Sequence, residues 1–408
     1  MNKYQKLIII SALVVSSIAI ATQLIFYQKN DAPVAQQQKE REFVPPCQKA
    51  GIAHFPQAKI TREMVESNNL SMKEAYYYDK IPATGEVICR LCPHKCILRE
   101  GEMGDCRVRA NVDGKLRTLV HERPITMHLD PIEKKPFFHF LPTKKTLSIA
   151  TAGCNLRCRN CQNWQISQLS AFETDNVEIL SAQSVVNLAK KYNAEIISYT
   201  YNDPIVFFEY MLETSKLAHK NGIKNTIVTA GYINEEPMEE LSKHIDGATV
   251  DIKGMTNDFY DRFNTGELDP VLDAIKVMKK QGVWLEISYL VIPGENDTNQ
   301  DFDKFSNWVK DNTGAGTPVH FLRFFPHYQL KSKPATPVST LKRARKRALN
   351  SGLKYVYIGN VRDSETEDTF CPHCNKKIID RNGYRMKSLN VKDGRCSFCN
   401  EPINGIWK

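Results

Sequence analysis

Hydrophobic and polar positions along residues 147–326 alternate regularly between two kinds of segment. Short runs rich in β-branched and aromatic residues are typical of buried strands. These runs are LSIATAG (147–153), EIISYTY (195–201), NTIVTAG (225–231), ATVDIKG (248–254), VWLEISYLVIPG (283–294) and VHFLRFFP (319–326). Between them, segments such as PIVFFEYMLETSKLAHKNG and PVLDAIKVMKKQG begin with Pro and end with Gly, as helices often do. Six such repeats, each of about 30 to 35 residues, predict an α/β fold in which helices cover a parallel sheet, open or curled into a barrel or partial barrel.

The longest apolar run lies near the start of the chain. Residues 7–27, LIIISALVVSSIAIATQLIFY, are uncharged and long enough to cross a bilayer as a helix. A cleaved signal peptide is the alternative, because Ala19 and Ala21 form an A-x-A pattern. The length of the run favours an uncleaved anchor. We therefore expect residues 1–28 to form a membrane anchor or signal segment, and the polar residues 29–74 to form a tether.

Eleven of the twelve cysteines fall into three groups at spacings typical of metal ligands. The groups are an N-terminal quartet (Cys89, Cys92, Cys96 and Cys106), a three-cysteine loop (Cys154, Cys158 and Cys161) and a C-terminal quartet (Cys371, Cys374, Cys396 and Cys399). Cys47 stands alone and is interpreted as an incidental thiol. Because metal-binding thiolates need reducing conditions, we expect a protein attached to the membrane through residues 7–27, with its body on the cytoplasmic side.

The three-cysteine loop, TAGCNLRCRNCQNW (151–164), directly follows the first predicted strand. In α/β barrels the active site lies at this carboxyl end of the strands. Three thiolates can hold three irons of a [4Fe–4S] cluster and leave the fourth iron open to a small molecule. A zinc knuckle that takes its fourth ligand from elsewhere, or lacks one, is the alternative.

The C-terminal quartet consists of two C-x2-C knuckles within a predicted metal ribbon, residues 363–408. Four thiolates form a closed site that favours zinc, with rubredoxin-like iron as the alternative. Because so short a tail can bury little apolar surface, we expect the metal to hold it together.

The N-terminal quartet lies in a Cys-rich extension, residues 75–140, with the spacing C-x2-C-x3-C-x9-C. This spacing does not choose between a structural zinc ion and an auxiliary [4Fe–4S] cluster, since both accept four thiolates.

Composition and charge exclude few classes of protein. The apolar share of 42% is enough to build a core, and a formal charge of +9 is mild for 408 residues. The one basic run, LKRARKRAL (341–349), is interpreted as the solvated face of a late helix. We predict no nucleic-acid partner.

The three-cysteine loop and the β/α repeats after it resemble the radical S-adenosylmethionine (radical SAM) enzymes. The chain is most similar to the AmmeMemoRadiSam system radical SAM enzymes, which are related to pyruvate formate-lyase activating enzymes. The stretches that carry this resemblance are CRLCPHKCILREGEMGDCRVRANVDGKL (89–116), TAGCNLRCRNCQNWQISQ (151–168), YTYNDP (199–204), VDIKG (250–254), VIPGEND (291–297), LRFFPHYQL (322–330) and the tail from CPHC onward. The resemblance spans residues 75–408 and implies a partial (β/α)6 barrel over residues 141–362.

The resemblance also implies a chemistry. S-adenosylmethionine binds the open iron, and an electron from a donor such as flavodoxin or ferredoxin cleaves it to a 5′-deoxyadenosyl radical. That radical abstracts hydrogen from a substrate, which no motif identifies; activation of a protein, namely a glycyl radical enzyme, is one candidate. A membrane-tethered iron–sulfur and zinc protein that carries electrons or serves as a scaffold without catalysis is the alternative function.

Five residues are expected to contact S-adenosylmethionine on the strength of the resemblance. Asn160 precedes the last cysteine of the loop, where related enzymes often place an aromatic ring against the adenine. Asn202 and Asp203, in TYNDP, stand where many relatives have a GGE motif and can accept hydrogen bonds from the ammonium group. Asp251 and Lys253 match a D-x-K pattern of the activating enzymes, where they would contact ribose and carboxylate; an ordinary surface ion pair is the alternative.

Overall fold

The computed structural model describes residues 59–175, 177–361 and 364–408. Among the described residues, the part before the main sheet contains one short helix and two small antiparallel sheets. Its elements are α1 (Arg62–Ser67), β1 (Lys73–Glu74), β2 (Tyr78–Ile81), β3 (Glu86–Cys89), β4 (Ile97–Leu98), β5 (Arg109–Asn111) and β6 (Leu116–Thr118). One sheet has the order β2-β3-β4 and the other the order β1-β6-β5.

The main sheet has eight strands that follow one another across the sheet in chain order. They are β7 (Thr126–Pro131), β8 (Lys145–Ala150), β9 (Ile196–Tyr199), β10 (Lys224–Thr229), β11 (Gly247–Asp251), β12 (Trp284–Val291), β13 (Val319–Arg323) and β14 (Val356–Gly359). Strand β7 is antiparallel to β8, and every later neighbour is parallel. The predicted α/β fold with a partial, barrel-like sheet is confirmed. The six predicted strands correspond to β8–β13, whereas the two edge strands were not predicted.

Helices connect the parallel strands, as the repeats predicted. They are α2 (Trp164–Ser167), α3 (Ala182–Lys191), α4 (Phe208–Lys220), α5 (Glu235–Ser242), α6 (Asn257–Asn264), α7 (Leu268–Lys280), α8 (Asn299–Thr313) and α9 (Val338–Asn350). Local sequence sets several of their starts: Thr298 and Asp301 form a capping box at α8, and the Ser181 hydroxyl caps α3. The basic run lies on α9, with Lys342 and Lys346 exposed and Leu341 buried.

The core lies between the main sheet and its helices. Alternate strand residues point to opposite faces of a sheet. Fully buried aliphatic side chains such as Val250 and Ile287 belong to the apolar core. The opposite face carries small hydroxyl groups, and Ser198 Oγ lies 2.7 Å from Thr146 Oγ1 and 2.6 Å from Thr226 Oγ1. The concave side of the sheet is therefore polar.

The last part of the chain forms a small module of short antiparallel strands against the main sheet. Its strands are β15 (Thr369–Phe370), β16 (Lys377–Asn382), β17 (Arg385–Leu389), β18 (Val391–Lys392) and β19 (Arg395–Cys396). Arg381 is buried, and its Nη2 donates to Phe138 O at 2.8 Å. His139 Nε2 and Tyr357 Oη are 2.6 Å apart, and Tyr357 Oη is 2.8 Å from Thr369 Oγ1. Buried hydrogen bonds thus attach the module to the sheet.

The apolar segment at residues 7–27 lies outside the described residues. Within the ranges that are described, none of the helices has the length and apolar character needed to cross a bilayer. This finding corrects the membrane localisation, with a cytoplasmic body, that the sequence led us to expect. The apolar run at residues 7–27 has the length that a spanning helix needs. Length and hydropathy alone do not show that such a helix forms.

Candidate active site

The three-cysteine loop starts directly after β8, at the carboxyl end of the parallel strands. Gly153 has a φ of +85°, and a Cβ there would lie 2.5 Å from Cys106 O, so only glycine fits. Its N–H donates to Ile166 O at 3.0 Å, which folds the loop back onto α2. Cys154 is buried, Cys158 and Cys161 are half-buried, and none of the three forms a disulfide.

Two polar side chains orient the thiols of this loop. Asn264 Nδ2, from the end of α6, donates to Cys158 Sγ at 3.0 Å, and Ser167 Oγ lies 3.2 Å from Cys161 Sγ. Burial raises the pKa of Cys161 to about 11, so the thiol keeps its proton unless a metal displaces it. Sequence reasoning missed Asn264 and Ser167, because no motif links them to the cysteines.

The three sulfurs are not packed as ligands of one ion. In the described part of the chain, the C-terminal quartet is the one group of three or more Cys, His or acidic residues whose ligand atoms all lie within 4.8 Å of one another. The loop therefore fits a larger group better than a zinc knuckle. Three unpaired thiols with amide and hydroxyl partners are a donor set that suits a [4Fe–4S] cluster.

Asn202 and Asp203 follow β9 and differ in what they have to offer a ligand. Asn202 Nδ2 donates to Thr151 O at 3.0 Å and to Gly153 O at 2.7 Å, and its Oδ1 is buried without a hydrogen-bond partner. Asp203 instead accepts from Thr229 Oγ1 at 2.8 Å and from Ala230 N at 3.0 Å. Asp203 therefore ties β9 to β10, whereas Asn202 leaves an acceptor beside the three-cysteine loop.

Asp251 and Lys253 lie at the carboxyl end of β11 and form an ion pair of 2.8 Å. Their side chains are 30% and 20% exposed, so the pair is partly buried, unlike an ordinary surface ion pair. Ser288 Oγ donates a short hydrogen bond to Asp251. Burial raises the pKa of Cys158, and the Lys253 ammonium partly opposes this rise. The Lys253 charge therefore favours the thiolate form of Cys158.

Asn160 is buried inside the loop, with 9% of its surface exposed. Many of the enzymes that this chain resembles have an aromatic residue at this position, whereas this chain has a polar one. Four residues later, the ring of exposed Trp164 stacks on that of half-buried Tyr328, with the two rings 5.3 Å apart and 13° from parallel.

The two quartets differ in geometry. In the C-terminal quartet, Cys371 Sγ and Cys399 Sγ are 3.6 Å apart, and Cys374 Sγ and Cys396 Sγ are 3.8 Å apart. The predicted four-cysteine group at this end of the chain is therefore confirmed. The N-terminal quartet lines one cavity together with His94, Arg109 and Asn155, but no three of its sulfurs lie within 4.8 Å of one another.

Comparison with known proteins identifies the family. Residues 148–309 match the Radical SAM superfamily. An uncharacterised protein of Methanocaldococcus jannaschii is 43% identical over 335 residues, which is 82% of this chain and 99% of that protein. This chain belongs to the radical SAM superfamily.

More distant matches carry an activating-enzyme name. The pyruvate formate-lyase-activating enzyme of Clostridium pasteurianum is 24% identical to this radical SAM chain over 165 residues, 39% of this chain and 67% of that enzyme. A solved domain of pyruvate-formate lyase-activating enzyme from Bacteroides vulgatus matches 40% of this chain and 98% of its own, with a TM-score of 0.36 and 15% identity.

Membership of the superfamily has direct consequences for this radical SAM chain. It supports an enzyme that cleaves S-adenosylmethionine, with a [4Fe–4S] cluster and a reductant. The AmmeMemoRadiSam subfamily and a role like that of pyruvate formate-lyase activating enzymes stay predictions.

Proposed function

We propose that Cys154, Cys158 and Cys161 hold a [4Fe–4S] cluster whose open iron binds S-adenosylmethionine. Reductive cleavage of that ligand would supply a 5′-deoxyadenosyl radical, which abstracts hydrogen from a substrate. The observation that carries this proposal is a loop of three unpaired thiols at the carboxyl end of β8 in a radical SAM fold.

Neighbouring side chains have distinct roles in this proposal. Asn264 and Ser167 orient two of the thiols through the contacts given above. Asn202 Oδ1, buried without a partner, accepts a hydrogen bond from the ammonium group of the ligand. Asp251 and Lys253 contact the ribose and the carboxylate, as the resemblance to activating enzymes implies. Asn160 borders the adenine.

Asp203 has a different role from the one expected. Its carboxylate already accepts hydrogen bonds from β10 and from Ile205 N at 3.3 Å. We assign it to positioning the turn that follows β9, and the ammonium contact to Asn202.

The specific role we propose is activation of a glycyl radical enzyme, with the electron supplied by a donor such as flavodoxin or ferredoxin. Similarity to the Clostridium pasteurianum activating enzyme supports this substrate class. The hydrogen would then be taken from a glycine of the partner protein.

We also propose zinc for the C-terminal quartet. Zinc–sulfur bonds of about 2.3 Å in a tetrahedron put neighbouring sulfurs about 3.8 Å apart. The two sulfur pairs at 3.6 and 3.8 Å agree with that edge length. A single iron in the same four thiolates is the alternative that metal analysis would detect.

The test of S-adenosylmethionine cleavage uses the full chain, reconstituted anaerobically with iron and sulfide. Incubation with S-adenosylmethionine and dithionite should yield 5′-deoxyadenosine and methionine, measured by chromatography and mass spectrometry. Cys158→Ala should abolish the product, whereas Cys47→Ala, a cysteine outside the three groups, should leave it unchanged. An iron-loaded protein that forms no 5′-deoxyadenosine would overturn the proposal.

A further inference from the structure

The N-terminal quartet is brought together from several short elements. Cys89 ends β3, Cys92 and Cys96 lie in the loop before β4, and Cys106 precedes β5. All four line a single small cavity, whose other walls include the apolar side chains of Leu98, Ile205 and Val206. The four cysteines therefore border one cavity between the small sheets and the barrel.

The spacing of these thiols does not suit a single ion. Four sulfurs around zinc must lie about 3.8 Å from one another. The sulfurs of the C-terminal quartet meet that condition, but within the described residues no three sulfurs of the N-terminal quartet fall within 4.8 Å of one another. The same chain thus contains a narrow four-thiol site and a wide one. A [4Fe–4S] cluster, which takes one thiolate on each of four irons, needs the wide arrangement.

The wall of the cavity offers a hydrogen-bond donor to bound sulfur. Arg109 is buried among the lining residues, and its guanidinium pairs with Glu209 at 2.6 and 3.0 Å, so that carboxylate balances its charge. Its Nε is buried without a hydrogen-bond partner. A free N–H donor beside four thiolates can stabilise a reduced cluster, since hydrogen bonds to sulfur help to set its potential.

From the width of the site, its four thiols and the unpartnered Arg109 Nε in its wall, we propose that the N-terminal quartet binds a second [4Fe–4S] cluster. All four irons of this cluster have a protein ligand, so none is open to S-adenosylmethionine. The proposal does not depend on the proposed function, because a cluster can bind here whether or not the chain cleaves S-adenosylmethionine.

The two cluster sites share a wall. Asn155, the residue after Cys154, lines the cavity, and its carbonyl accepts from His94 Nε2 at 2.7 Å. On the other side of Cys154, Gly153 packs against the carbonyl of Cys106. Loop residues 153–155 thus separate the two sites, and the second cluster lies next to the first.

The experiment isolates the second site by removing the first. A full chain with Cys154→Ala, Cys158→Ala and Cys161→Ala is reconstituted anaerobically, and iron, sulfide and zinc are counted per chain. We expect about four irons and about four sulfides, with zinc at the C-terminal quartet. Reduction by dithionite should give a cluster EPR signal that S-adenosylmethionine does not change. All four cysteines of the N-terminal quartet are kept in this variant.

Two further variants decide where the iron lies. Adding Cys371→Ser and Cys374→Ser to the triple variant should remove zinc and leave the iron. Adding Cys92→Ser and Cys96→Ser instead should remove the iron and leave the zinc. A triple variant that binds no iron and a second zinc would overturn the proposal, as would iron that disappears with the C-terminal cysteines. Either result would leave 5′-deoxyadenosine formation by the wild-type chain untouched.

Discussion

The two quartets have the same number of thiols and both contain a C-x2-C pair, yet their geometry differs. The sulfurs of the C-terminal quartet all lie within 4.8 Å of one another, whereas those of the N-terminal quartet surround a cavity. Since thiolate count is the same, it is the separation of the ligands that selects between one ion and a cluster.

The quartets also differ in what they are attached to. The C-terminal quartet belongs to a small module, and Cys371 and Cys396 pack in its own apolar cluster. The N-terminal quartet shares its cavity with Ile205 and Val206 of the barrel and with Asn155 of the active-site loop. Under the two proposals, a metal in the first arrangement would hold a module together, while a cluster in the second would lie beside the three-cysteine loop.

Loss of the C-terminal metal should have the largest effect. Structural zinc contributes about 10–16 kcal/mol in zinc-finger peptides, so Cys371→Ser with Cys374→Ser should unfold residues 369–408. Limited proteolysis should then cut within that range, and zinc should be lost while iron is retained. Cys47→Ser is the matched control. A tail that stays protected without metal would show that packing alone holds it.

Breaking the buried ion pair at the N-terminal quartet should come next. Glu209 is fully buried. It accepts hydrogen bonds from Nη1 and Nη2 of Arg109 and from Tyr76 N. Glu209→Gln leaves the Arg109 charge unpaired and should lower the free energy of unfolding by about 3–5 kcal/mol, measured by denaturant titration. The exposed pair Asp273–Lys276 is the control. Asp273→Asn should change the free energy of unfolding by less than about 1 kcal/mol. Equal effects of the two variants would contradict the expectation that the buried Arg109–Glu209 pair stabilises the fold more than an exposed pair does.

Acid should weaken the attachment of the C-terminal module. His139 Nδ1 donates to Asn404 O at 2.6 Å, which leaves Nε2 to accept from Tyr357 Oη. Burial lowers the pKa of His139 from 6.5 to about 4. The unfolded chain therefore binds the proton first, and stability is lost as pH falls from 6.5 to about 4, by about 3 kcal/mol.

Stability measured across that pH range by thermal unfolding checks this expectation. His139→Gln removes the titrating group and should flatten this part of the pH dependence. An unchanged slope in the variant would assign the acid sensitivity to other groups.

The smallest effect should be on the potential of the three-cysteine cluster. Asn264 Nδ2 donates to Cys158 Sγ, and hydrogen bonds to sulfur raise cluster potentials by stabilising the reduced, more negative form. Asn264→Ala should therefore lower the potential of this cluster and slow formation of 5′-deoxyadenosine. An EPR-monitored redox titration should show no change in the N-terminal cluster. Equal shifts of both clusters would point to a general structural change.

Much of the fold could be predicted because its signals are local. Continuous apolar runs predicted the six strands β8–β13, whose side chains are largely buried. Edge strand β7 was missed because its pattern, TMHLDP, is mostly polar and partly exposed. Strand β14, VYIG, was also missed, although it is no shorter than the predicted strand β9.

The candidate site was predictable only in part, for a related reason. Each group of cysteines lies within a stretch of at most 29 residues, but the partners of the cysteines are distant. Asn264 is 106 residues from Cys158, and Arg109 is 100 residues from Glu209. The hydrogen bonds that Asp203 accepts from Thr229 and Ala230 likewise depend on β10, and no local pattern reveals them.

Sequence alone was sufficient for the order of the β/α repeats, the three groups of cysteines and the resemblance to radical SAM enzymes, because periodicity and ligand spacing are local properties. Tertiary structure alone separated a narrow four-thiol site from a wide one, and it placed the wide one against the active-site loop. Distances between sulfurs depend on how separate strands pack, and that packing is set by the whole core.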